Sequence, residues 1–448
     1  MSLRLLAGAL ALVAAGAAPA AGAWSGPERA SVGPLDADSV DVAVNMRGDG
    51  AAAWVRGSRR GRAIVVTLRR AGGGWERPVA ISRRGRPAID PQVAIAADGR
   101  VIVVWRQVVR NRVIVSRGKR RSQAVYVVRA RERAIEAGRW EPIVTLSSRR
   151  QKVGRPFIGT DDAGRAVAAW HWGTGNRPSD RGYVGQVQLA ERDPAAGWGR
   201  PRRASRSSSC VEVRRPRVAS GAAGHTVVWW ICDTPGGRSA AHGVGRGPGE
   251  GFGPDQELPL ASEGRLAADL AVAPDGRAVA VSADDAALRW WRGPVAASGI
   301  GLGDLPALGT SERVGRGVGA PRIAAGPSGD ALSAWIDPDG RTRVAPIAAD
   351  LGVAAPTSLG QDRSATRARV ATGDARRGLI AWLTSGRVVA AVRAPDGSIG
   401  GVTLLSRRGV PSKEPAAIAM DATGAAVVYW TRVTGGRSVV ERATFSAT

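Results

Sequence analysis

The sequence predicts an all-β fold of eight four-stranded repeat units, and three observations carry that prediction. The first is a recurrent hairpin that ends in tryptophan, as in VAIAADGRVIVVW closing at Trp105 and IAMDATGAAVVYW closing at Trp430. Short runs of alternating apolar residues between turn residues are a strand signal, and no helical period competes with them. The second is recurrence. Aligned copies end at Trp54, Trp105, Trp170, Trp230, Ser282, Trp335, Trp382 and Trp430, spaced 51, 65, 60, 52, 53, 47 and 48 residues apart, the signature of a repeat architecture. The third is the turn inside each hairpin. Six residues before the terminal position stands Gly48, Gly99, Gly164, Gly224, Gly276, Gly329, Arg376 or Gly424. Glycine supplies the positive φ that a two-residue hairpin turn requires, and the seventh unit alone replaces it.

Each unit continues with a third apolar run, such as AVYVVRARE from Ala124 or RVVAAVRAP from Arg387, and then a marker of the form Trp-x-x-Pro-x-x-apolar-Ser. The marker reads WERPVAIS from Trp75, WGRPRRAS from Trp198 and, with a slipped proline, WEPIVTLS from Trp140. Four strands per unit follow, here named a to d. Units of this kind at a period near 50 fit the blades of a β-propeller, whose radial packing buries both faces of each small antiparallel sheet. The chain ends support a closed ring. The last unit stops after its strand c at residues 437–447, and the missing strand d stands at the N-terminus as residues 24–31, beginning Trp24-Ser25-Gly26-Pro27. Closure of that kind removes exposed sheet edges. The prediction is one eight-bladed β-propeller; the alternative is a seven-bladed ring, because unit 5 has Ser282 in place of Trp and a poorly marked strand d near Leu305.

Residues 1–23 read as an export signal, with Arg4 in the n-region, an apolar stretch from Leu5 to Ala15 and the small-residue site Ala21-Gly22-Ala23. A single propeller domain of residues 24–448 is expected to follow, secreted or exposed outside the cell envelope, monomeric and without a membrane span. The chain carries 64 Lys+Arg against 38 Asp+Glu, a net charge of +26, or +25 once Arg4 leaves with the signal. All the basic residues but Lys119, Lys152 and Lys413 are arginine. Apolar content of 44% and charged content of 23% sit near globular averages and exclude a disordered tail or a membrane bundle.

The blade pattern resembles that of the broad superfamily of secreted propellers that includes sialidase-like repeat proteins. The resemblance covers the chain after the signal but not an active-site motif. The Asp box of sialidases places Trp three residues after its Gly, whereas here the gap is six. A sialidase also implies a Tyr nucleophile with an arginine triad, and the tyrosines are Tyr126, Tyr183 and Tyr429, all within strand runs. Eight-bladed quinoprotein dehydrogenases are similar in blade number and tryptophan repetition, but their docking motif sets Trp four residues after Thr-Gly, and Thr423-Gly424 stands too far from Trp430.

Tryptophan at a position required in every unit reads as a packing anchor between blades. Outside those positions stand Trp172, Trp229, Trp290 and Trp291, the last two in the unit that lacks its strand-b Trp. Arginine recurs directly after strand d, as Arg83-Arg84, Arg149-Arg150, Arg206, Arg313, Arg363 and Arg407-Arg408. The b–c loops add Arg56, Arg59, Arg60 and Arg62 in unit 1, and Arg106, Arg110, Arg112, Arg117, Lys119, Arg120 and Arg121 in unit 2. Both loop sets fall on one face of a propeller. The opposite a–b turns carry Asp49, Asp98, Asp161, Asp162, Asp275, Asp374 and Asp421, so a basic and an acidic face are expected. Acidic residues Asp36, Asp38, Asp284, Asp285, Asp337 and Asp339 fall on the basic side, with Asp337-Pro338-Asp339-Gly340 reading as a turn.

Cys210 precedes strand a of unit 4 and Cys232 lies two residues beyond Trp230. The antiparallel hairpin brings both to one end of the blade, and an export compartment favours their disulfide. His171, His225 and His242 are too scattered for a metal site, and no cofactor is expected. No nucleophile elbow, phosphate-binding glycine loop or calcium loop occurs.

The expected function is non-catalytic: a ligand-binding or scaffolding propeller whose basic loop face recognises an anionic polysaccharide, another cell-envelope polymer or extracellular nucleic acid. The alternative is a sialidase-like glycoside hydrolase or lyase acting on an acidic glycan, which needs two carboxyls about 5–9.5 Å apart in a cleft on the basic face.

Overall fold

The computed structural model of the chain describes residues 22–447, except for 59–60, 117–118, 149–151, 175–183, 207–209, 285–286, 306–311, 316–318, 351 and 408–415. The described residues form eight antiparallel sheets and no helix, each sheet ordered a-b-c-d. The a strands are Ala37–Val44, Ala88–Ile95, Lys152–Thr160, Glu212–Ser220, Ala267–Val272, Arg322–Ala325, Ala365–Thr372 and Ala417–Met420 in blades 1 to 8. Each packs against the next, and the eighth against the first. The ring is closed and the a strands line its central channel.

Closure uses the N-terminal segment as predicted. Gly22–Trp24 and Glu28–Arg29 pair with the last strand, Arg437–Ala447, in the registers Trp24↔Phe445 and Glu28↔Arg442. The marker serine explains itself here. In blades 1, 2, 3 and 7 the strand-c N–H groups of Ile64, Val128, Val187 and Val388 donate to the hydroxyls of Ser82, Ser147, Ser205 and Ser406 at 3.0, 2.8, 2.9 and 2.9 Å. In blade 8 the same bond runs from Val440 to Ser31 at 3.1 Å, across 409 residues of sequence.

The apolar core is divided into eight clusters, one at each blade interface, including the cluster of Val40, Val42 and Trp54 with Val427, Tyr429 and Val440 that joins the first blade to the last. The ladder tryptophans Trp54, Trp105, Trp170, Trp230, Trp335, Trp382 and Trp430 are 0–3% exposed within these interfaces, the burial expected of packing anchors. Blade 5 is complete, which removes the seven-bladed alternative. Its Trp290, on strand c (Leu288–Ala296), is buried and meets Trp335 of blade 6 edge-on with ring centroids 5.7 Å apart. A neighbouring strand thus supplies the aromatic ring that Ser282 does not.

The seven turn glycines have φ between 76° and 99°. In the seventh turn Arg376 takes the same left-handed conformation at 63°, preceded by Ala375 at 48°, so the turn geometry persists without its preferred residue. The Cys210–Cys232 disulfide is formed, with a Cα–Cα distance of 5.2 Å. It ties the entry of blade 4 to the end of its strand b, a constraint of about 3 kcal/mol on the unfolded chain. Among the described residues no helix is long and apolar enough to cross a membrane.

Candidate anion site in the channel

The a strands bring eight equivalent residues to one level of the channel. Asp41, Gln92, Phe157, Arg217, Asp269, Arg322, Arg369 and Ala417 each lie opposite the residue that precedes the ladder position of their own blade. Two residues further on, toward the a–b turns, the equivalent positions are Ala43, Ala94, Gly159, Ala219, Ala271, Ala324, Ala371 and Ala419. Six of these small residues border a cavity of about 390 Å³ formed by the a strands of blades 1 to 6. The channel therefore has a polar level toward the d–a loops and a smooth, small-residue level toward the other face.

Local backbone geometry sets up the polar level. In blades 1, 2, 3, 4 and 7 the a–b register shifts by one residue just before it, between Asp38 and Asp41, Ile89 and Gln92, Val153 and Pro156, Arg214 and Arg217, and Thr366 and Arg369. Ser39, Asp90 and Arg367 sit in three of these bulges with φ of 55–58°. Such bulges re-aim side chains and concentrate beside functional sites, and positive φ at a non-glycine residue is costly without compensation.

The charges converge across the channel. The Arg369 guanidinium is held well below its ordinary pKa by desolvation and by the cations Arg322, Arg217 and Arg155, with Asp269 opposing. Desolvation raises the Asp41 carboxyl against the Val93 N–H and the cations Arg155 and Arg369. Charged groups from six blades thus share one electrostatic environment. Arg217 lies over the Phe157 ring at 4.0 Å and Arg155 over the same ring at 5.5 Å, which holds two guanidinium groups near each other.

The channel-wall carboxylates are committed to chain partners. Asp41 accepts from Val93 N at 2.9 Å, Asp269 pairs with Arg322 at 3.5 Å, and Asp90 accepts from Arg106 Nε at 2.6 Å. A cluster of mutually repelling guanidinium groups in a partly desolvated channel favours an anion, and their planar forks suit carboxylate, sulfate or phosphate oxygens.

Of the arginines predicted after strand d, Arg83, Arg84, Arg206, Arg313, Arg363 and Arg407 are exposed in the loops that lead into the a strands. Arg149, Arg150 and Arg408 lie outside the described residues, as do Arg59, Arg60, Arg117, Asp285, Tyr183 and most of the expected export signal.

One expectation needs correction. The basic stretch of unit 2 is not a loop: strands b and c of blade 2 run through it as Arg100–Ser116 and Lys119–Ala134. Of the a–b turn aspartates, Asp98, Asp162, Asp275 and Asp374 are exposed and Asp49, Asp161 and Asp421 buried. Asp49 pairs with Arg47 and Asp161 with Arg165, both at 2.8 Å, while Asp98 and Asp275 cap their turns by accepting the N–H of Arg100 and Arg277. These carboxylates serve the turn and its neighbouring cation.

Tyr429 is buried at the closing interface beside Trp75, with ring centroids 5.4 Å apart, and Tyr126 lies on strand c of blade 2 under Arg106. Neither is on an a strand. His171 is held down to about 4 by burial. His242, on strand c of blade 4, stacks on Trp230 and meets Asp255, the residue just before strand d, at 3.1 Å, and does not pair with His171. Among the described residues no three His, Cys, Asp or Glu side chains gather as a metal site. Sequence reading missed the channel arginines. For Arg217, Arg322 and Arg369 the signal is a fixed offset: each stands thirteen residues before the ladder position of its unit.

No protein family and no curated protein matches the sequence. Solved structures match in fold. The BP39L lectin from Burkholderia pseudomallei aligns at 13% identity over 83% of this chain and all of the lectin, with a TM-score of 0.50. A Hadza microbial sialidase, Hz136, aligns at 13% identity over 89% of this chain and 73% of its own, with a TM-score of 0.43. A protein of unknown function from Dyadobacter fermentans aligns at 10% identity over 96% and 99% of the two chains, with a TM-score of 0.44. Likeness at these identities extends to the fold alone.

Proposed function

We propose that this protein is an exported, non-catalytic binding propeller whose channel mouth and surrounding d–a loops hold an anionic envelope or extracellular polymer. One observation carries the reading: Arg217 and Arg369 stand at one level of the channel with Arg322, which pairs with Asp269, and Arg155 approaches from two residues before that level in blade 3, while Asp41 and Asp90 are engaged by the chain itself. An acidic group of the ligand enters the channel, and Arg83, Arg84, Arg206, Arg313, Arg363 and Arg407 supply a longer-range attractive field around the mouth. The disulfide supports export to an oxidising compartment.

The hydrolytic reading has one observation in its favour. Asp41 is held above the ordinary carboxylate range, as a general acid would be. Its partner across the ring, Asp269, is bound to Arg322, and that engagement favours binding over catalysis.

The test is an array of acidic and neutral glycans with other polyanions, read at two salt concentrations. Retention of acidic polymers that weakens with salt, and weakens further when Arg83, Arg84 and Arg407 are reversed to Glu, supports the reading. If no anionic ligand is retained at low salt, or the reversed variant binds as before, the reading fails.

A further inference from the structure

Blade 2 departs from the other seven in one respect. Its strand b has 17 residues, whereas the others have six to nine. The extra length is a two-stranded ribbon, paired from Val108↔Tyr126 to Ser116↔Lys119, with a bulge between Val108 and Arg110. Between the base of this ribbon and the start of strand a of blade 3 runs a groove of about 440 Å³.

The groove has a defined chemistry. Arg110, Arg112 and Lys152 line it, and none of its lining residues is Asp or Glu. Gln123 Oε1 accepts from Arg112 Nε at 3.1 Å and from Nη2 at 2.9 Å, fixing that guanidinium. Arg106 is occupied otherwise: it pairs with Asp90, donates to the Val153 carbonyl at 3.2 Å and covers the Tyr126 ring at 5.0 Å. Ala124, Val125 and Val153 give the groove an aliphatic wall. Arg155 of the channel site stands two residues beyond Val153 on the same strand, so groove and channel mouth are continuous along one backbone.

We infer that the groove is a second subsite for the same ligand, and that the ligand class is an acidic oligosaccharide bearing uronate or sulfate groups. The inference rests on the reading of the channel mouth as an anion site. Cations beside an aliphatic wall, one of them held by Gln123, match a sugar ring, which presents a C–H face and a charged substituent, and the volume lies in the range of small-ligand pockets. Single-stranded nucleic acid needs open aromatic faces for base stacking; the groove's one aromatic ring, Tyr126, is covered by Arg106. A chain seated at the channel mouth continues over Lys152 and along the ribbon. The second contact is then intramolecular, so affinity grows with ligand length.

The experiment titrates the full chain with oligogalacturonates of increasing length at low salt, using wild type, R110Q/R112Q/K152Q and R217Q/R369Q. Wild type gains affinity with length. The groove variant, whose substituted residues leave the ring interfaces intact, unfolds at the wild-type temperature and binds the shortest oligomers as wild type does, but loses at least about tenfold on the longest. The channel variant weakens at every length. If the groove variant follows wild type at all lengths, the groove is not a subsite and the inference is overturned while the channel reading stands. If wild type binds no oligogalacturonate, the channel reading fails first and the groove falls with it. A groove-dependent preference for an oligonucleotide of equal charge over the oligogalacturonate would also overturn the inference.

Discussion

Two positions recur at fixed register in every blade, and the ring treats them in opposite ways. At the end of strand b the eight residues are tryptophan seven times and Ser282 once, buried where blades meet. Thirteen residues earlier, on strand a, the eight are Asp41, Gln92, Phe157, Arg217, Asp269, Arg322, Arg369 and Ala417. The first position meets the same environment eight times, because each interface poses the same packing problem. The second faces a lumen shared by all eight blades, where what matters is the combination. In a closed repeat protein, uniformity across units marks packing and diversity at a fixed register marks a candidate site.

That contrast is broken most severely at the ladder. Replacing Trp105 with Ala leaves a cavity between blades 1 and 2 and is expected to cost about 3–5 kcal/mol. Chemical denaturation measures it, and a loss below about 1 kcal/mol would deny the ladder its packing role.

A smaller effect sharpens the other side. The Asp41 carboxyl has its pKa raised in the folded protein, so the native state holds that proton more tightly than the unfolded chain. Its stability contribution is fully present below the ordinary carboxylate value and is lost as pH rises through the raised one. Asp41→Asn, which keeps an acceptor for the Val93 N–H, is expected to be more stable than wild type at neutral pH, with a flatter acid-side profile. It also binds anions more tightly there, because it removes a negative charge from beside Arg155 and Arg369. Denaturation and anion titration across pH check both. A variant less stable than wild type at neutral pH would contradict the assignment.

Most of the fold was legible in the sequence because the repeat states it eight times. The strand-b tryptophans, the turn glycines and the displaced Trp24 marker are local signals with one structural meaning. The disulfide was legible because a hairpin fixes where Cys210 and Cys232 meet. The channel site was not, since Arg217, Arg322 and Arg369 share only their thirteen-residue offset from the ladder, a position that holds other residue types in the other units; ring closure places them together. The ribbon of blade 2 was read as a basic loop because Arg110, Arg112, Arg120 and Arg121 mask the pairing of Val113, Val115 and Val125 around them. Nor does sequence alone reveal that Arg47 and Arg165 fold back onto Asp49 and Asp161 at the a–b turns.

The most direct test of the channel as a site distinct from the core is one paired measurement on R217Q/R369Q. Removing two cations from a mutually repelling, partly desolvated cluster is expected to leave the unfolding midpoint unchanged or raise it, while abolishing retention of acidic polymers at low salt. A midpoint that falls as far as that of Trp105→Ala, or undiminished binding in a folded variant, would contradict the account.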